Sequence, residues 1–397
     1  MSIALSGVWT LVAALVTIEL GRRLNRWLPW LERGNIPPAV SAGLVLSLLL
    51  AALRAGGWLD LRFATAPRDA LLLVFFASLG FGAHLGRLVS AGKGTFVVVA
   101  GITAVILAQN AAGIALASAF GRPEPLGLFM GSIAFTGGHG TAVAWADAEA
   151  GRALAGALEI GIGSATLGLV LGGLVAGPVA VWLATHRVAD IRGATVFARG
   201  EAAGPPREPP FSSDRWLPCL LWIALCVAVG PPLRDWAGGL GFKIPTFLAV
   251  LLAGVAITNL ADAARRPLDT EVTDLVGTVA LRIFLAIAML SLDWAALVGD
   301  LAMLFAAAAA QVTVTVAVAV GIVYLGFGRD RDAAAATGGF IGFSLGAMPV
   351  GLAVMRRLNA RFGETPRALL AITLAASLYT DTANALVIAA ILRWLGA

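Results

Sequence analysis

The sequence predicts an all-α polytopic membrane protein built from two inverted five-span repeats, each with a re-entrant helical hairpin, about ten spans plus two hairpins in all. Three observations carry this. Of 397 residues, 59% are hydrophobic and only 13% are charged, about half the charge of an average soluble domain. Apolar runs of bilayer length recur along the whole chain, and ten spans of roughly 20 residues consume about half of it. Two further apolar stretches are broken at their middles by glycines, and motifs of the first half return in the second. So little charge cannot cover the surface of a soluble chain of this length. Disordered, collagen-like and nucleic-acid-binding readings fail for the same reason.

The first apolar run, 2–20, has neither a basic leader nor a small-residue cleavage site before it, so it reads as a retained span. Further runs fall at 36–53, 70–88, 95–120 and 157–184, completing an N-terminal repeat over 1–184. The segment 185–216 is the one long polar stretch. Pro205-Pro206 and Pro209-Pro210 prevent a helix there, and it reads as a cytoplasmic linker. Runs at 216–231, 244–260, 275–294, 301–327 and 368–392 make up a C-terminal repeat over 217–397. Cys219 and Cys226 lie in one run on one side of a helix and read as packing residues.

The broken stretches lie near 126–150 and 333–355, at Gly137-Gly138-His139-Gly140 and Gly342-Phe343-Ser344-Leu345-Gly346. About ten residues on each side is roughly 15 Å of helix, half a membrane. Non-helical backbone at that depth survives only against protein or a wet cavity. A shift of 208 residues superimposes Ile36-Pro37 on Ile244-Pro245, Thr136 on Ser344 and Gly138 on Gly346. With five spans per half, the second half must be inverted, an arrangement known from secondary transporters. Nineteen Arg and Lys fall in the segments that face the cytoplasm when the N-terminus is outside, against eight in the outer segments. Both termini are therefore predicted outside. Trp27, Trp58, Trp182, Trp216, Trp294 and Trp394 sit near span ends, as interfacial or packing residues.

A half-helix that begins after each glycine break offers unpaired N–H groups and the positive end of its dipole. Thr141 in the first hairpin and Pro349 in the second hold the first helical positions in this reading. Two such ends meeting at the midplane would hold a carboxylate without a buried cation. Thr136, Gly137, Gly138, His139, Gly140 and Thr141, with Ser344, Gly346, Ala347, Met348 and Pro349, form the candidate substrate site. A glycine-rich packing seam is the alternative. His139 reads as a carboxylate donor, a proton carrier or a structural hydrogen bonder, whereas His84 and His186 read as interfacial.

Asp381 and Asn384 lie three apart on one face of the last span. A carboxylate inside an apolar helix needs a cavity, a cation or a partner. Oxygen ligands at this spacing suit Na⁺, with Asn110 a further candidate ligand; Gln109, Asn110 and Gln311 equally suit inter-helix hydrogen bonding. Glu19 reads as paired with the arginines that follow it, and Glu159 and Arg282 as caps, salt bridges or functional charges. Residues 342–346 also match the G-x-S-x-G nucleophile elbow. That motif requires a strand before the serine, so shared ancestry with Thr136 explains Ser344 better than hydrolysis does.

Taken together, Gly131-Ser132-Ile133, Thr136-Gly137-Gly138-His139-Gly140-Thr141, Ala165-Thr166-Leu167-Gly168-Leu169-Val170-Leu171-Gly172-Gly173, Pro245-Thr246-Phe247, Gly342-Phe343-Ser344-Leu345-Gly346-Ala347, Arg361-Phe362-Gly363 and Asn384-Ala385-Leu386-Val387-Ile388 resemble the bacterial sodium/glutamate symporters from the first span to the last. The resemblance implies Na⁺-coupled uptake of L-glutamate across the bacterial inner membrane, with Na⁺ as coupling ion and no cofactor. It also implies a homodimer with a scaffold domain and a mobile domain carrying both hairpins, working by elevator-type alternating access. Met348 stands where the resemblance leads one to expect threonine, and the last span reads Tyr379-Thr380-Asp381-Thr382 where bulkier apolar residues are usual. Another acidic amino acid or a dicarboxylate therefore stays open as substrate. An uncoupled channel or exporter is the rival mechanism, and no reading is an enzyme.

Overall fold

The computed structural model describes residues 2–29, 31, 36–86, 92–186, 213–240, 242, 244–265, 268–294, 297, 299–346 and 348–396. All but six of the 185–216 linker residues, and Ala347 of the second tip, lie outside them.

Ten long helices coincide with the ten apolar runs. In the first half they are α1 (Gly7–Trp27), α2 (Pro38–Ala55), α3 (Ala66–Gly82), α4 (Gly92–Ala119) and, after two short helices α5 (Gly138–Ala146) and α6 (Glu149–Arg152), α7 (Ala157–His186). The second half has α8 (Ser213–Gly239), α9 (Thr246–Ala263), α10 (Thr270–Leu290) and α11 (Leu301–Phe327). Helices α12 (Arg331–Leu345) and α13 (Met348–Phe362) precede α14 (Pro366–Leu395). Eight of these helices are long and apolar enough to cross a membrane. The exceptions are α1, which carries Glu19, Arg22, Arg23 and Arg26, and α3, which has 17 residues. The chain is thus a multi-pass membrane protein.

Helix starts follow local chemistry. Pro37 and Pro245, the pair related by the 208-residue shift, both hold extended N-cap positions, at ψ 139° and 155°. Asp269 and Asp330 accept hydrogen bonds from the N–H groups of Val272 and Ala333, capping α10 and α12. Glu19 pairs with Arg22 and Arg23 as expected, and Cys219 and Cys226 are buried free thiols.

Several expectations are corrected. The first span begins at Gly7, because Ser2–Ala4 (β1) pairs in parallel with Asp60–Arg62 (β2), a small sheet in an otherwise helical chain. Helix α8 runs through Pro231 and Pro232 to Gly239 instead of ending there. The first broken stretch is not two ten-residue half-helices. A 3₁₀ segment, Glu124–Met130, and a run of turns over 131–137 lead into the nine-residue α5, which starts inside the glycine cluster and before Thr141. In the second, residues 342–345 remain helical, so that helix ends at Gly346, and Pro349 is the second residue of α13. His84 is buried, not interfacial, with Nδ1 2.5 Å from Asp262 Oδ2, whereas His186 is exposed. Arg282 is exposed and has no ion pair among the described residues.

Packing does not follow the two halves of the sequence. Helices α1, α2, α3, α8, α9 and α10 pack most densely on one another. The segment 124–146, with α4, α7 and α11–α14, forms a second group centred on α12 against α7 and α4 against α11. Each group therefore draws matching spans from both halves. Only α10 against α5, α9 against the end of α14 and α3 against the middle of α14 join them more than marginally.

Candidate functional site

Two residues related by the 208-residue shift meet inside the second group. Thr136 Oγ1 lies 3.3 Å from the Ser344 carbonyl oxygen. The next related pair is equally close: a Cβ placed on Gly138 would lie 3.6 Å from the Gly346 carbonyl. Gly138 has φ +73°, which glycine adopts without strain. Helix α7 comes up against this junction because it carries glycine where it touches. A Cβ on Gly168 would stand 2.2 Å from the Leu345 carbonyl oxygen.

Gln109 holds the junction together. Its Oε1 accepts from the Thr136 hydroxyl (2.7 Å), and its Nε2 donates to Thr315 Oγ1 and to the Ser344 carbonyl, both at 3.0 Å. Gln311 Nε2 donates to the Gln109 and Met130 carbonyls at 2.8 Å. These two glutamines, read from sequence as glue between helices, tie both broken segments to α4 and α11. Ser132 and Thr315 were not singled out. Thr315 lies one turn beyond Gln311, on the same face of α11, and that spacing was the available signal.

His139 is buried, with Nε2 3.0 Å from the Thr166 hydroxyl, which itself donates to the Ile162 carbonyl at 2.9 Å. With that hydroxyl hydrogen committed, the imidazole donates from Nε2 and leaves Nδ1 as an acceptor. The arrangement anchors the loop to α7 and gives the neutral ring the wrong polarity for a carboxylate. Gly140 points elsewhere: a Cβ there would meet Phe75 and Leu281 of the first group. Gly137 packs on Thr141, which is buried. Met348 is half-buried and Pro349 exposed at the start of α13.

Asn110 Oδ1 accepts from both the backbone N–H (3.0 Å) and the hydroxyl (2.9 Å) of Ser132, so it presents its amide nitrogen, not an oxygen, to any cation. Asn384 Nδ2 donates to the Ser132 carbonyl at 3.0 Å, and its buried Oδ1 has no hydrogen-bond partner. Among the described residues no ion pair or hydrogen bond engages the Asp381 carboxylate, one turn earlier on α14. Asn110 Nδ2, Ser344 Oγ and Gln311 Oε1 are likewise buried without partners. Each such atom costs about 1–3 kcal/mol unless something polar satisfies it. A five-residue π-helical stretch, Ala376–Thr380, immediately precedes Asp381, and Tyr379 within it bonds Thr103 of α4 at 2.8 Å. Such bulges gather at functional sites. A cavity of about 470 Å³ lies apart from all of this, lined by Lys93, Thr95, Phe327, Arg367 and Leu370.

A membrane-embedded interior with broken helices, buried amides and, among the described residues, a carboxylate without an ion pair or hydrogen bond has the make-up of a membrane transporter. The chain belongs to the sodium/glutamate symporter family, whose model matches residues 3–364. It is 34% identical to the sodium/glutamate symporter of Escherichia coli (strain K12) over 390 residues, 96% of this chain and 95% of that protein. The sodium/glutamate symporter of Haemophilus influenzae (strain ATCC 51907 / DSM 11121 / KW20 / Rd) is 33% identical over 397 residues, 97% of this chain and 96% of the relative.

Proposed function

We propose that this protein is a secondary active transporter that couples Na⁺ entry to uptake of L-glutamate by elevator-type alternating access. The observation that carries the reading is the meeting of Thr136 with Ser344 and of Gly138 with Gly346. The N-terminal ends of α5 and α13 supply positive dipole ends for a substrate carboxylate. Asp381 and Asn384 Oδ1 supply oxygens for Na⁺, and Asn110 positions Ser132 beside them. Na⁺ at Asp381 lowers the cost of bringing an anion into the site, and by linkage the anion raises affinity for Na⁺ equally. The first group of helices serves as scaffold and the second as the moving body, which the small number of helix pairs that cross between them supports, although one buried apolar cluster spans both. The moving body carries both broken segments, read as re-entrant hairpins of an inverted repeat. We place the protein in the bacterial inner membrane as a homodimer with both termini outside. Met348, at the second tip, makes a related acidic amino acid or dicarboxylate the second substrate reading.

Uptake of labelled glutamate into proteoliposomes under an imposed Na⁺ gradient tests this. Accumulation above equilibrium that disappears when the gradient is collapsed is expected. Equilibration indifferent to Na⁺ would instead make it an uncoupled channel or exporter.

The two tip glycines separate a ligand cradle from a packing seam. Gly138→Ala makes an ordinary contact with the Gly346 carbonyl at 3.6 Å but adds backbone strain of about 1 kcal/mol at its positive φ. Gly346→Ala meets Leu169 Cα at 3.1 Å. In a cradle, both variants lose most of the melting-temperature rise given by saturating glutamate with Na⁺. If both melt early yet keep the full ligand-induced rise, the glycines serve packing alone.

A further inference from the structure

An ion pair with a buried arginine and a half-buried aspartate crosses between the two groups of helices. Arg68, near the start of α3, has 9% of its side chain exposed and places Nη2 2.8 Å from Asp147 Oδ2. Asp147 caps the C-terminal end of α5, so the pair joins the scaffold group directly to the first broken segment. Two residues earlier, on α5, Trp145 meets Phe247 of α9 edge-on, with ring centroids 5.2 Å apart. Phe247 also lies against Phe76 of α3, at 4.7 Å. Helix α10 also meets α5, where Gly140 lies against Phe75 and Leu281. Arg68 has a second carboxylate as well: its Nε and Nη2 lie 3.1 and 3.0 Å from Asp69 Oδ1.

We propose that the Arg68–Asp147 pair, backed by Trp145 on Phe247, is a releasable latch between scaffold and moving body, and that Asp69 is the partner Arg68 keeps when the latch opens. The proposal rests on the two-body reading above. Leaving a buried guanidinium unpaired is strongly unfavourable, so a lone buried pair would weld the two bodies together. Asp69 sits on the same helix as Arg68 and stays with it whichever way α5 moves. That lowers the cost of opening without weakening the closed contact. Asp147, already partly exposed, regains water on release. The ring contact is apolar and undirected, so it holds the bodies together without resisting separation through stranded charge.

The test uses the full-length protein in lipid nanodiscs, without ligand, read by hydrogen exchange over 138–146 alongside Na⁺-driven glutamate uptake in proteoliposomes. Arg68→Gln and Asp147→Asn are each expected to raise exchange over 138–146 by about tenfold, the size of a modest coupling energy. The double variant should add nothing beyond either single, as for a pair acting as one unit. Asp69→Asn should act in the opposite sense, slowing maximal uptake severalfold while exchange over 138–146 does not rise. A merely structural bridge does not produce that inversion. Wild-type exchange in both single variants, additive effects in the double, or unchanged uptake in Asp69→Asn would each overturn the latch. If Arg68→Gln does not fold, Asp147→Asn carries the test; if neither folds, the bridge is fixed and the proposal is wrong. Wild-type uptake that ignores Na⁺ would sink the symporter reading while leaving the exchange comparison standing.

Discussion

Replacing Asp381 with Asn is expected to abolish Na⁺-driven uptake in a protein that still purifies as a monodisperse oligomer. The substitution keeps the side chain's shape and removes its charge, and no ion pair depends on that charge among the described residues. A full charge about 4 Å from a cation is worth roughly 4 kcal/mol at an effective dielectric near 20. Even after desolvation is subtracted, the Na⁺ concentration for half-maximal uptake should rise by at least about tenfold. Asn384→Ala removes only an amide dipole and should cost less. Titrating uptake rate against Na⁺ in the two variants checks both. Wild-type Na⁺ dependence in Asp381→Asn would take Asp381 out of the cation site.

The second large effect concerns Gly168. An alanine methyl there would sit 2.2 Å from the Leu345 carbonyl oxygen and 2.9 Å from Phe135 Cδ1. Neither neighbour is the free end of a flexible chain. Helix α7 would have to move off the junction, at a cost of about 1–3 kcal/mol or more. Gly177, nine residues on in the same helix, has nothing within 4 Å of its Cβ position. There the same substitution should be neutral or stabilising by a few tenths to about 1 kcal/mol, since alanine is the better helix former. Melting temperatures in detergent should therefore fall for Gly168→Ala and hold or rise for Gly177→Ala. Equal behaviour would mean that α7 does not pack on the junction this closely.

Both predictions begin in features legible from the sequence. Apolar run length gave the ten long helices because burial in lipid is a matter of composition, which a string of residues displays directly. The breaks were legible because glycine at membrane depth needs a reason. The 208-residue shift pointed to Thr136, Ser344, Gly138 and Gly346, and these are the pairs that approach one another. What escaped depended on neighbours. Pro231 and Pro232 end a helix in water, but an apolar span with packed neighbours continues through them. His84 reads as interfacial until α9 brings Asp262 beside it. Gln109 looks like any polar residue in a span, and only the fold shows that three elements converge on it. Asn110 is chemically able to ligate a cation, but its oxygen is already taken by Ser132.

The π-helical stretch at Ala376–Thr380 makes the last span two wheels set out of phase on one axle. Each residue advances an α-helix by about 100°, so one extra residue in the turn rotates everything beyond it by that angle. Residues before the stretch pack against α4 and α12, and those after it leave α12, keep α4 and meet the 3₁₀ segment and α9. A helical wheel drawn through the whole span therefore puts Asp381 and Asn384 on the wrong face. The misalignment also makes the span's length at this point a functional quantity. Losing a single residue between 376 and 380 would alter composition and hydropathy almost imperceptibly, yet it would swing Asn384 a quarter-turn or more away from the Ser132 carbonyl to which it donates.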